Sequence, residues 1–456
     1  MKTKGSMTCA MSLLLLVIIS LLAACIQSSR VSCARAQAAN AIGAAMYSLF
    51  AQYDRDLLED YHLFFLDSGY GDSRPNLAQV IAQTETFALP ILSSGLTNCE
   101  LDTCGITGFR LASDGKGEAV KAQILRYMKD NLGTKGIQLI KDRFNQNVEA
   151  MEEQEKIQEG GLEEAPIEEE VPMEDISPSN NPLEIIENIR SHGFLGLVLP
   201  DGGTVSEKSV EAESLLSFRE LEQGMGALPL SQGKSAVTDK LLIQEYILDS
   251  LSFYTQESHP GPLEYQVEYV LGGKDTDREN LQYVVNRLLL IREASNIAFL
   301  YTDPQKRAEL QACASALSLL LLIPEGMTLV QGVLAAGWAY IESICDVKTL
   351  LSGGKVPLTK DNGSWKTHLN HLSTEDASSA SAGLDYRDYL FLLLSFSSED
   401  RLTFRCMDMM EQNIRAKEGR ASFSFDACLD AVSMNFLISG PEGQQWQGER
   451  FYTYDM

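Results

Sequence analysis

A chain of 456 residues is long enough for two or three domains or one large composite fold with an ample core. Its 45% apolar and 22% charged content are ordinary for a folded protein, but its formal net charge of −26 is not. An acidic surface of that size repels phosphate backbones, which argues against nucleic acid as a partner. The nine cysteines are scattered and odd in number and contain no CxxC, so the chain is neither a disulfide framework nor a zinc ribbon or dithiol redox protein.

Gly5 to Ser29, "GSMTCAMSLLLLVIISLLAACIQSS", carries no charge. Its central Met7 to Ile26 would span about 30 Å as a helix, the thickness of a hydrocarbon core and longer than a signal-peptide h-region. Lys2 and Lys4 precede it with no acid, which places the N-terminus in the cytoplasm and the bulk of the chain outside. Arg30 and Arg35 on the far flank reduce that asymmetry without reversing it. Leu22-Ala23-Ala24-Cys25 also fits a lipoprotein signal, in which a peptidase cuts before Cys25 and the thiol is acylated. The next residues decide between these readings. Ile42, Met46, Leu49, Tyr53, Leu57 and Tyr61 form a helical stripe, and Gly43 is the one helix breaker nearby. The sequence thus predicts a membrane helix running into an amphipathic one, with Cys25 at the bilayer surface.

Beyond this rod, "HLFFLDSGYGDSRPN" reads as a short strand closed by a Gly/Pro turn. Helical patterns at 75–92 and 117–150 flank a Gly- and Cys-containing loop region at 94–117. In that region, Cys99 and Cys104 either close a small loop or remain free thiols. Glu149 to Asp175 holds twelve acids and one lysine, a self-repelling linker. No DxDxDG pattern marks it as a calcium loop. The domain reading is therefore 1–29 tail and anchor, 30–148 amphipathic helix and first α/β region, 149–182 disordered acidic linker, and 183–456 second α+β region.

In the second region "HGFLGLVLPDGG" reads as a buried strand or turn, and Leu263, Tyr265, Val267 and Tyr269 alternate as a half-buried strand. Thr276 and Glu279 form a capping box for a helix of about 25 residues. Pro324-Glu325-Gly326 splits the apolar block 311–341 into two buried helices, each too short to span a bilayer. Two more helices are expected between 384 and 415, then strands through "ASFSFDACLDAVSMNFLIS". The fold class is α+β and helix-rich, with a long N-terminal membrane-spanning helix continuing into an extracytoplasmic domain.

No HExxH, GxSxG or GxxxxGK occurs. "LSGGK" at 351–355 lacks the first glycine of a phosphate loop and reads as a helix end. His368 and His371, near Glu375, have the spacing of two imidazoles on one helix face, but their Ser/Thr/Asn-rich surroundings read as a loop. Glu342 and Asp346, four apart, could form an acid–base carboxylate pair, or a solvated or salt-bridged helix face near Lys348. The tyrosines and Arg387 of "LDYRDYL" read as packing and a helix start. No catalytic residue, metal ligand or cofactor site is assigned, and the chain is not expected to be an enzyme.

Several stretches together resemble a family of single-pass proteins from Gram-positive bacteria. They are "GSMTCAMSLLLLVIISLL" with the following "ARAQAANAIGAAMYSLFAQYDRDLLEDYHLFFLDSGYG", "LGLVLP…VSEKSV", "LEYQVEYVLGGKDTDRENLQYVVNRLLLIREASNIAFL", "WAYIESICDVKTLLSGGKVPL" and "LDYRDYLFLLL…RCMDMMEQNIR". That uncharacterised family is associated with tight-adherence (Tad/Flp-type) pilus gene clusters and is similar to the TadE/TadG pseudopilins. Pilin-like subunits keep the first half of such a rod in the membrane and pack the second half under a globular domain. The resemblance implies a structural or assembly role in a Tad/Flp-type pilus or secretion system, with the lipid bilayer and pilus or envelope proteins as partners. Pilin substrates are cut after a glycine and carry Glu five residues on. Here Ala10 holds that position after Gly5, which favours an uncut anchor. The alternative is a surface lipoprotein acylated at Cys25 that binds a ligand or envelope partner.

Overall fold

The computed structural model describes residues 4–94, 99–159, 182–191, 194–200, 203–226, 228–229, 237–256, 261–322, 324–369, 372–374, 378–380, 382–440 and 443–454. The fold is α+β and helix-rich, with one four-stranded sheet among the described residues. The chain divides into two compact units: residues 1–123, 220–233 and 417–456, and residues 124–219 and 234–416.

The first unit is built on α1 (Lys4–Phe50), a single helix of 47 residues. Its N-terminal half is apolar on every side, so no face of it can be buried selectively. From Met7 to Ile26 its large side chains stand exposed, Met7 at 71% and even the least exposed, Ile18, at 43%. It is the one helix among the described residues that is long and apolar enough to cross a membrane. After Arg30 the pattern becomes one-sided. Ala34, Ala38, Ala41, Ile42, Ala45, Met46, Leu49 and Phe50 are buried, and the four alanines allow close approach of the neighbouring elements. They pack with α3 (Leu77–Leu92) and the sheet residues Leu111, Val432, Met434, Phe436 and Ile438 in one core.

The expected stripe continues past α1, but the helix does not. The chain turns at residues 51–54 and restarts as α2 (Arg55–Tyr61), whose Asp54 side chain caps the Leu57 amide at 3.0 Å. Leu57 and Tyr61 are buried all the same, because the turn preserves the inward face.

The sheet is antiparallel. Central strand β3 (Cys428–Ser439) pairs with β2 (Glu100–Leu111) on one side, and on the other with β1 (Leu66–Asp67) and β4 (Gln445–Thr453). Two expectations are corrected here. Residues 100–111 form a strand where a loop was expected, because the ladder is supplied by β3 far along the chain; Asp102, Thr103 and Thr107 are exposed, whereas Gly108 to Leu111 are buried. The final strands belong with the N-terminal elements, so the boundary expected at 149–182 does not separate two sequence-continuous regions. Long-range pairing of this kind leaves no local trace. The strand also settles Cys99 and Cys104. An extended backbone holds residues five apart more than about 10 Å from each other, beyond disulfide reach, and no disulfide joins the two.

Helix α4 (Asp114–Glu159) carries regular structure eleven residues into the expected linker, 149–159. The linker residues 160–181 lie outside the described residues. The second unit then contains α5 (Pro182–Ser191), α6 (Phe194–Val198), α7 (Val237–Ser250), α8 (Gln266–Gly272), α9 (Asp277–Thr302), α10 (Pro304–Leu320), α11 (Met327–Leu351), α12 (Tyr386–Ser395) and α13 (Glu399–Arg415). The Thr276 cap of α9, the division of α10 from α11 at Pro324–Gly326 and the α12–α13 pair match expectation. The buried strand or turn expected in "HGFLGLVLPDGG" and the strand expected at 263–271 are helices α6 and α8 instead. Every residue from Gln266 to Leu271 is buried, so a polar–apolar alternation carries no information about which face is wet.

Truncation of Leu49 tests the shared role of α1. Leu49→Ala is expected to cost about 2–5 kcal/mol in urea unfolding of the detergent-solubilised chain, whereas Leu139→Ala, on the exposed side of α4, is expected to be near neutral.

Candidate functional site

Charged residues inside apolar helices point to the most unusual site of the second unit. Arg292 lies in α9 within "LLLIREASNIAFL", and Glu342 and Asp346 lie in α11 within an otherwise apolar run. All three side chains are fully buried. The four-residue spacing puts the two carboxylates on one face of α11. Helix α11 ends at Leu351, and Gly353 takes the left-handed φ of 78° that lets the chain reverse. This is the helix end expected for "LSGGK". The returning loop brings in Lys360, Ser364, Lys366 and Thr367.

Each carboxylate oxygen and each cation is engaged. Arg292 Nε donates to Asp346 Oδ2 at 3.1 Å, while Nη1 donates to the carbonyls of Pro357 (2.9 Å) and Leu358 (3.0 Å) and to Tyr389 Oη (3.0 Å). Lys360 Nζ donates to Asp346 Oδ1 at 2.8 Å, to Glu342 Oε1 and to the Ser364 carbonyl at 2.8 Å. Glu342 Oε1 also accepts from the Lys366 amide at 3.0 Å, and Oε2 accepts from the Thr367 amide and hydroxyl at 2.9 and 2.8 Å. Lys366 Nζ stands 3.7 Å from Asp346 and donates to the Cys345 carbonyl at 3.3 Å and to Thr349 Oγ1. Burial pushes the Asp346 carboxyl up, but Arg292, Lys360 and Lys366 outweigh it and hold the group below the usual carboxylate range. Burial likewise pulls the Lys366 ammonium down, partly offset by Asp346.

Aromatic rings wall this cluster. Trp338 and Trp365 meet edge to face at 5.3 Å, Trp365 stacks on Phe299 at 5.3 Å, and Lys306 Nζ lies 5.1 Å from the Trp338 ring centroid. Both indoles are anchored on Thr367, Trp338 Nε1 to its hydroxyl and Trp365 Nε1 to its carbonyl, each at 2.8 Å. An Asp361–Ser364 turn presents Lys360 and Trp365 on its two flanks.

A second buried polar group joins α8, α12 and α13. Tyr269 Oη and Ser217 donate to Asp408, and Arg219 forks onto Glu411. Glu268 accepts from the Tyr254 amide at 2.9 Å and Tyr386 Oη at 2.8 Å, both on Oε1, and its Oε2 has no partner among the described residues. Burial lifts its carboxyl to about 7 against the lowering pull of those two donors. The expected helix start at "LDYRDYL" is a capping box of Asp385 and Asp388. Tyr386 and Tyr389 are buried, and Arg387 pairs with Glu245 and Asp249.

Cys25 is exposed on α1. His368 is exposed in the loop before α12, and His371 and Glu375 lie outside the described residues. Among the described residues no group of three His, Cys, Asp or Glu side chains could hold a metal ion. The salt-bridged reading of Glu342 and Asp346 stands, but the solvated one is corrected: packing of α9, the returning loop and the indoles excludes water from them. Arg292, Lys360 and Lys366 went unseen in the sequence because their partners come from distant elements, Asp346 lying 54 residues from Arg292 and Tyr389 97; the available signal was a charge embedded in an apolar run.

A family model described as a family of unknown function (DUF5702) matches residues 173–440, more than half of the chain. The chain belongs to the DUF5702 family. No curated protein and no solved structure matches it. The DUF5702 region contains the whole of the Arg292–Glu342–Asp346–Lys360–Lys366 cluster and the Glu268 group, while α1 lies before it.

Two measurements check this electrostatic account. Arg292→Met leaves Asp346 with one fewer cation in a dry site and is expected to cost about 3–5 kcal/mol in urea unfolding. Glu268 keeps its proton in the folded state at pH values where the unfolded chain has lost it. Its contribution to stability is therefore fully present below about pH 4.5 and is lost as pH rises towards about 7. Glu268→Gln is expected to remove up to about 1.4 kcal/mol per pH unit from the slope of stability against pH across that window.

Proposed function

We propose that this chain is a membrane-anchored, extracytoplasmic, pseudopilin-like protein that serves as a structural or assembly component of a Tad/Flp-type pilus or secretion system. The observation that carries the reading is the two-part character of α1. Its first half is exposed and apolar on every side, and its second half is a core element of a domain with an antiparallel sheet. One uninterrupted helix couples a bilayer to a folded body, which is what a subunit extracted from or held in a membrane requires. Lys2 and Lys4 orient it with the N-terminus inside. The acidic surface and the absence of familiar catalytic motifs favour protein partners over substrates.

The second reading, a lipoprotein, rests on the exposed thiol of Cys25 directly after Leu22-Ala23-Ala24. The intact mass of the membrane form separates the two. Residues 6–24 are expected to be retained; a diacylglyceryl-modified Cys25 at the N-terminus replaces the anchor reading with the lipoprotein one. Orientation is tested by protease treatment of intact cells: digestion of the domain after α1 is expected, and full protection of it contradicts the proposal.

A further inference from the structure

The geometry of the α9–α11 cluster points to a covalent modification site: we infer that Lys360 Nζ and the side-chain carboxyl of Glu342 condense to an intramolecular amide, with Asp346 relaying the proton. Lys360 Nζ is in hydrogen-bond contact with Glu342 Oε1 and lies 2.8 Å from Asp346 Oδ1, so nucleophile, electrophile and base already meet. All three side chains are fully buried. The Ser364 carbonyl accepts a hydrogen bond from the third ammonium N–H and fixes the direction of the amine.

The two carboxylates have different surroundings, and this assigns their roles. Asp346 faces Arg292 at 3.1 Å and Lys366 at 3.7 Å besides Lys360, which keeps it ionised, with an oxygen open to receive the proton that Lys360 gives up. Glu342 Oε2 accepts from the amide and hydroxyl of Thr367, donors placed where negative charge grows as its carboxyl carbon becomes tetrahedral. In the step, Asp346 accepts one proton from the Lys360 ammonium and the freed lone pair attacks Glu342 Cδ. The Cδ–Oε1 bond then breaks as the C–N bond forms. Oε1 departs as water, carrying the relayed proton and a second proton from the nitrogen. The net change is ammonium plus carboxylate to amide plus water; nothing is oxidised or reduced, and no further reactant enters.

Condensation is opposed in bulk water, but partners held in contact reach effective molarities of about 10⁵–10⁸ M. The amide also removes two buried charges, each of which costs several kcal/mol to desolvate. Trp365, its ring centroid 5.7 Å from Lys360 Nζ, helps keep out the water that would reverse the reaction. The inference concerns the second unit alone and does not depend on where the chain resides.

Peptide mapping of the purified full-length chain tests it. Trypsin is expected to release the peptide ending at Lys348 joined to one spanning residues 356–366, uncut at Lys360. The joined mass would fall short of the sum by one water, about 18 Da, with fragmentation placing the bond at Glu342. Separate, full-mass peptides from folded protein overturn the proposal, as does a bond mapped to Asp346. Asp346→Asn, close in shape, is expected to leave the peptides unjoined, and joining at the wild-type level would remove the relay role. Should that variant fail to fold, the wild-type map still decides the matter.

Discussion

On the membrane-anchor proposal, one constraint governs this chain: α1 satisfies two solvents with a single uninterrupted helix. A helix hydrogen-bonds its own backbone, so it can pass from a hydrocarbon layer into a protein core without exposing a polar group at the transition. The side chains carry the change of medium. Before Arg30 they are large and apolar all round; after it, small and large apolar residues share one face and polar residues the other. The first unit assembles on that face. The sheet lies across it with β3 at its centre, and α3 closes the same core. Placing β3 and β4 against α1 means that this unit cannot form until residues 428–453 have been made.

The second unit answers a different problem, that of keeping charge in a dry interior. Two carboxylates and three cations share a space walled by indoles, and each is met by a partner of opposite charge or by a backbone group. Such a cluster adds little net stability compared with apolar residues of the same shape, yet removing one member is costly. Its physical consequence is specificity of position. The loop after α11 contributes no regular structure over 357–369, but Lys360, Lys366 and Thr367 hold it on α9 and α11 at defined points. Glu268 shows the opposite device, a buried carboxyl met only by neutral donors and therefore inclined to keep its proton.

Local signals in the sequence were legible. The apolar run of α1, the Thr276 cap of α9, the Pro324–Gly326 break and the Gly353 helix end all depend on residues within a turn or two of one another. Two kinds of error came from the same limit. Residues 263–271 alternate like a strand, but a short alternation is uninformative in a segment buried on every side, and α8 forms there. Residues 100–111 look like a loop, because the partner that makes them a strand lies more than 300 residues away. The site followed the same rule. Glu342 and Asp346 were visible as an i, i+4 pair, whereas the cations that define their chemistry arrive through tertiary folding.

The central claim is that α1 crosses a bilayer and emerges outside, near Cys25. Native thiols lie exposed along it at Cys9, Cys25 and Cys33. Single-cysteine variants that retain one of the three, with the other eight cysteines replaced by serine or alanine, can be treated in intact cells with a membrane-impermeant maleimide. The account expects Cys33 to label, Cys9 to stay unlabelled until the cells are lysed in detergent, and Cys25 to react more slowly than Cys33. Equal labelling of Cys9 and Cys33 in intact cells, or protection of Cys33, would contradict it.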